Sequence, residues 1–151
     1  MEKIEFVVLR NLVNDEKYTR KVLPFIKSEY FEEESEKIVF EEIQNFVEKY
    51  NDLPTKEILS IEVEKRSSVT EDTFKVCTQL IEALSEEDIE HDWLVETTEK
   101  WCRDRAIYLA LMESIQLADG KDEKKGRDAI PSILSDALAV SFDNNVGHDY
   151  L

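Results

Sequence analysis

The residues able to do chemistry in this chain are few, and their spacing does not suit them to it. His91 and His148 lie far apart, and neither has the His-x-x-Glu, His-Glu-x-x-His or Cys-x-x-Cys spacing that brings ligands to one metal ion. A surface or capping role is the expectation for both. Cys77 and Cys102 fall on the apolar faces of expected helices and read as reduced core residues. A phosphate loop needs Gly-x4-Gly-Lys-Ser/Thr. The nearest approach, Gly120 to Asp128, has five residues between its glycines, continues as Arg127-Asp128 and follows a helix instead of a strand. Glu29, Glu32, Glu33, Glu34, Glu36, Glu41 and Glu42 could be paired carboxylates or a divalent-cation cage. Such cages alternate Asp and Asn around a Gly turn, so this run reads instead as the first turn and solvated face of a helix. Lys121, Lys124, Lys125 and Arg127 form the only basic cluster. It reads as a solvated turn that complements a helix C-terminus, with a partner contact as the functional alternative. No catalytic, cofactor-binding or metal-binding residue is expected in this segment.

With so little chemistry to position, the elements themselves carry the information. At 151 residues one domain can bury roughly 70% of its unfolded surface without disulfides or metal. Only Gly120, Gly126, Gly147, Pro24, Pro54 and Pro131 punctuate the chain, far too few turn residues for a sandwich or barrel, so the fold class is all-α. No apolar run approaches the roughly 18 to 20 residues that span a bilayer, and the N-terminus lacks a signal-type start, so no membrane partner and a cytoplasmic location are expected. The 35 acidic residues against 19 basic give a net charge of −16, which opposes tight contact with a phosphate backbone.

Residues 2–13 carry Ile4, Val7, Val8, Leu9, Leu12 and Val13 and read as a mostly buried helix. Residues 15–27 place Tyr18, Val22, Phe25 and Ile26 on one side and end near Pro24, with Ser28-Glu29-Tyr30-Phe31 as connector. From Glu32 to Tyr50, Val39, Ile43, Phe46, Val47 and Tyr50 keep helical spacing, and Asn51-Asp52 ends the run. Thr55 is the expected cap of the next helix, with Ile58, Leu59 and Val63 inward; another starts at Thr70 and runs through Phe74, Cys77, Leu80 and Ile81 to Leu84. Ser85 to Glu90 is an acidic linker.

The most informative stretch is residues 92–140. Leu94, Trp101, Tyr108 and Ile115 recur every seven residues, about two helical turns, and are expected to stack on one face of a helix from about Asp92 to Ala118. Gly120 is placed to stop that helix, Asp128 to cap a return helix with Pro131 in its first turn, and Ile130, Ile133, Leu134, Ala137 and Leu138 to supply the answering apolar face. The expected architecture is a helical head over residues 1–86, a helical hairpin over 87–141 and the start of a linker over 142–151. A long arm of about 27 residues spans roughly 40 Å and outreaches such a head. Its stripe therefore either serves an internal core or meets another subunit, and the pattern alone leaves both open. Leu94, Trp101, Tyr108, Met112, Ile115 and the five return-helix residues are the expected hairpin or oligomer interface.

From the hairpin onward the chain resembles the N-terminal part of the DnaB-type hexameric replicative helicases of T-even-like phages. Asp92-Trp93-Leu94-Val95, Thr98-Glu99-Lys100, Arg105-Ala106, Ala129-Ile130-Pro131, Ala137-Leu138, Ser141-Phe142-Asp143 and Val146-Gly147-His148-Asp149 carry the likeness, with Ser28-Glu29-Tyr30-Phe31 upstream. The resemblance covers nearly the whole chain and implies a helical head and hairpin that pair into a collar above a ring of motor domains. It further implies self-association, docking of primase and of a helicase loader, and, in the full-length protein, ATP- and Mg²⁺-dependent 5′ to 3′ unwinding with single-stranded DNA passing through the ring. By the same resemblance the chain stops at Leu151 where a linker to the motor begins, and no catalytic residue carries over. ATP and Mg²⁺ are thus expected for the full-length protein and no cofactor for this segment. A free-standing acidic inhibitor or DNA mimic is the alternative, separable by whether the reading frame continues past Leu151 into a strand and a phosphate loop. Six copies at −16 each bring −96 formal charges around the channel, so a collar should guide a strand without gripping it, and self-association should tighten as salt rises.

Overall fold

A computed structural model describes residues 3–120 and 126–142. Among the described residues all regular structure is helical: α1 (Ile4–Asn14), α2 (Glu16–Val22), α3 (Glu34–Tyr50), α4 (Lys56–Glu64), α5 (Glu71–Glu82), α6 (His91–Ala118) and α7 (Ile130–Leu138), with short 3-10 turns at Leu23–Phe25, Ser28–Tyr30 and Arg127–Ala129. The chain divides into two compact units, residues 1–95 and 96–151.

Capping chemistry explains where the helices of the first unit begin. Asp15 accepts a hydrogen bond from the Tyr18 backbone N–H at 3.0 Å, Thr55 from that of Ile58 at 3.1 Å, and Thr70 from that of Thr73 at 3.1 Å, each satisfying an orphan donor of a first turn. Asn51 ends α3 in the left-handed region at φ 56°, and Arg20 holds it there by donating to its side-chain oxygen at 2.8 Å and its carbonyl at 3.1 Å.

Helix α3 is the centre of this unit and packs against α1, α4 and α5. Its Ile38, Val39, Phe40 and Ile43 are buried together with Val8, Leu9 and Leu12 of α1, Leu59 and Val63 of α4, and Cys77 and Ile81 of α5. Phe31 meets Phe40 with ring centroids 5.2 Å apart, a tilted pairing that favours their quadrupoles. The buried Thr19 hydroxyl donates to the Leu12 carbonyl at 2.8 Å, joining α2 to α1 without leaving a polar group unmatched. At the far end of α4, Arg66 reaches Glu42 at 2.6 Å and Glu41 at 2.7 Å, so one guanidinium ties the α4 exit to the middle of α3.

The second unit is an antiparallel helical hairpin, established by hydrogen bonds at its two ends. At the tip Arg127 donates to the Ala118 carbonyl at 2.9 and 3.2 Å. Near the base Arg103 donates to the Val140 carbonyl at 3.0 Å and Glu99 accepts from the Phe142 backbone N–H at 2.7 Å. As the α6 partner moves back from 118 to 99, the return-segment partner moves forward from 127 to 142. Gly120, at φ +74°, terminates the long arm in a conformation that costs glycine little. The expected cap at Asp128 is a correction: Asp128 lies inside the 3-10 turn Arg127–Ala129, and α7 begins from Ala129 with no side-chain cap and Pro131 in its first turn. Because Pro131 removes one of the first-turn donors, that start needs one fewer cap.

Candidate assembly surface

Helix α6 does not bury one continuous stripe. Leu94, Thr98, Trp101 and Cys102 are buried, as are Ala110, Ser114 and Leu117 further along. At about 100° per residue the second set lies roughly 140° around the helix from the first, so the helix changes its buried face midway along. Leu94, Trp101, Tyr108 and Ile115, at seven-residue spacing on one side of the helix, thus meet different environments. Leu94 and Trp101 are buried, whereas Tyr108 is 51% and Ile115 55% exposed. A seven-residue repeat falls about 20° short per heptad on a straight helix, and the change of buried face leaves the rest of the stripe outside.

A different apolar row emerges there. Tyr108, Leu111, Met112 and Ile115 follow i, i+3, i+4, i+7 and are all substantially exposed. Their mean direction lies roughly 150° from the face that carries Ala110, Ser114 and Leu117. The Arg105 guanidinium lies 4.9 Å from the Tyr108 ring centroid, a cation–π contact at the head of the row. Leu111 is the member that the seven-residue count passes over; its signal in the sequence is its position three residues after Tyr108. On the return helix Ala137 is buried, Ile130, Ile133 and Leu134 are half-buried, and Leu138 is 65% exposed. The return-helix residues thus divide between the inside of the hairpin and its outside.

At the hairpin tip, Arg127 uses its guanidinium on the last carbonyl of α6, which is the helix-end role read from its charge. Lys121, Lys124 and Lys125 lie outside the described residues, as do His148 and residues 143–151. The glutamates of residues 29–42 do not converge: Glu36 pairs with Lys3 at 3.0 Å and its side chain receives the Glu33 backbone N–H, while Glu41 and Glu42 hold Arg66. Burial, and then the charge of Glu99, pushes the Cys102 thiol up to about 12, while burial first of all raises that of Cys77, so both thiols are poor nucleophiles. Charge is divided unevenly along the chain. Residues 1–95 hold 12 basic and 24 acidic side chains, a net −12, against 7 and 11, a net −4, in residues 96–151. The exposed apolar row thus belongs to the less charged unit.

No family model matches the chain. It is similar to the DnaB-like replicative helicase of Enterobacteria phage T4, 35% identical over 153 aligned residues that cover 96% of this chain and 32% of that protein. This chain is a homologue of part of that helicase. It spans about a third of the length of the curated relative it matches. The aligned region covers nearly the whole of this chain. The all-α architecture expected from the sequence is the one observed. Among the described residues no helix is long and apolar enough to cross a membrane.

Proposed function

We propose that this chain is the N-terminal assembly segment of a phage replicative helicase, and that it self-associates through the exposed face of α6. The observation that carries this reading is the row Tyr108, Leu111, Met112 and Ile115, four apolar side chains at helical spacing turned away from the hairpin's own core. A monomer that leaves such a row in water forgoes its burial, and a second helix laid along it recovers that burial. The segment brings copies together into a collar and offers the assembled surface to primase and a loader. Unwinding belongs to the whole protein. The sequence holds no Gly-x4-Gly-Lys-Ser/Thr, so this reading assigns ATP and Mg²⁺ to the rest of the full-length molecule. With its strongly acidic head, the segment guides single-stranded DNA without holding it tightly.

The test is the double variant Leu111→Ser/Ile115→Ser in sedimentation velocity. Half-exposed side chains regain about 1 kcal/mol each on burial, so two substitutions on each of two protomers weaken a pair by about 4 kcal/mol, roughly 1000-fold in Kd. Helix content and melting should stay near wild type. Unaltered association in the double variant would move the interface elsewhere. Extending the reading frame past Leu151 tests the other half of the proposal, with a strand followed by a phosphate loop as the expected continuation.

A further inference from the structure

Glu99 and Arg103 sit one turn apart on α6 and converge on the chain just after α7. The Glu99 carboxylate accepts from the Phe142 backbone N–H at 2.7 Å and from the Ser141 hydroxyl at 3.1 Å. Arg103 lies 3.7 Å from the same carboxylate and donates to the Val140 carbonyl at 3.0 Å. The Phe142 side chain is buried, and the Glu99 side chain is only 19% exposed. Three consecutive residues are therefore held by two side chains through charge-assisted bonds in a partly dry setting, which strengthens each bond. Helix packing needs nothing of the kind, because α7 has already ended at Leu138.

We propose that Glu99 and Arg103 form a clasp that fixes the point where the chain leaves the hairpin, so that whatever follows Phe142 departs from the base of α6 and not from the loose end of α7. Opening the clasp would free residues 139–142 and add roughly 13 Å of reach at full extension. The clasp shares the face of α6 that carries Ala110, Ser114 and Leu117, on the far side from the exposed apolar row, so a second copy on that row leaves it untouched. Its consequence rests on the assembly reading above: the same helix would carry both the contact between copies and the anchor for the chain beyond. The geometry makes Glu99 a positioning residue, acting through residues 140–142.

The experiment uses the 151-residue protein with Glu99→Ala, Glu99→Gln and, as control, Lys100→Ala, which removes only an exposed pair with Asp104. Amide exchange at Phe142 and chymotryptic cleavage after Phe142 are the readouts. Glu99→Ala should raise both about tenfold, Glu99→Gln by less because an amide oxygen still accepts, and Lys100→Ala neither. Amides of residues 108–115 should exchange as in wild type, which a general loosening would not permit. If Glu99→Ala fails to fold, the Gln variant decides alone. Wild-type exchange and cleavage in a folded Glu99→Gln protein, together with unchanged values in any folded Glu99→Ala protein, would overturn the clasp. A wild-type chain that stays monomeric would undo the assembly reading yet leave these exchange results standing.

Discussion

Two aromatic residues seven positions apart offer a sharp discrimination, because α6 treats them oppositely. Trp101 is 7% exposed and Tyr108 is 51% exposed. Trp101→Ala removes a buried indole and leaves a cavity that the helix can only partly collapse, a loss of about 3 kcal/mol or more. Tyr108→Ala removes a ring already half in water, about 1 kcal/mol of burial, along with an exposed cation–π contact to Arg105 of about 0.5 kcal/mol. For a chain of this size each kcal/mol moves the melting midpoint by about 2 to 4 °C, so the two variants should separate by several degrees in the dilute protein. Thermal melts and urea unfolding followed by circular dichroism, at concentrations too low for association, give the comparison directly. Concentrated samples should reverse the order of effect, with Tyr108→Ala impairing association while Trp101→Ala, where it stays folded, leaves it intact. Equal stability losses in dilute solution, or a larger one for Tyr108, would refute the change of buried face along α6 on which the assembly surface depends.

Other expectations concern groups whose environments are equally specific. Arg66→Ala strands the buried Glu42 carboxylate and releases Glu41, and should cost about 3 kcal/mol in urea unfolding, more than removing any exposed pair such as Lys100 and Asp104. Ser114→Ala removes a buried hydroxyl that has no hydrogen-bond partner among the described residues, and should be neutral or stabilising by up to about 1 kcal/mol in the same assay. Cys102, raised to about 12, should resist alkylation at neutral pH until the protein unfolds. Its neutral form is favoured in the folded state, so its contribution to stability is complete below the unfolded thiol's pKa of about 8.5 and fades as pH climbs through 12; a melt series in alkali should show that loss. Because most of the net charge sits in residues 1–95, repulsion between heads should ease as salt rises and association should tighten, which light scattering across a salt series measures.

The helices were legible in the sequence because their ends are chemically marked. Thr55, Thr70 and Gly120 act in the structure as their residue types predict, and the apolar spacing of Val39 and Ile43 identifies α3 as a core helix. The division of α6 into differently buried halves was not legible. A seven-residue count treats Trp101 and Tyr108 as equivalent, and only knowledge of what covers each turn of the helix separates them. The start of α7 was misread for a local reason, since Arg127–Ala129 closes a tighter turn than an α-helix and takes Asp128 out of the capping position. Glu99 and Arg103 stand one turn apart on α6, a spacing common to surface ion pairs. Their partners lie some forty residues on, at a separation where composition and periodicity carry no signal.

The most direct measurement is the weight-average mass of the wild-type chain by sedimentation equilibrium, from about 10 µM up to several hundred µM, the range in which an interface of a few half-buried side chains should report. The assembly reading predicts a mass that climbs with concentration above 17.7 kDa and falls back to that value in the Leu111→Ser/Ile115→Ser variant. A wild-type mass that holds at 17.7 kDa throughout would contradict it.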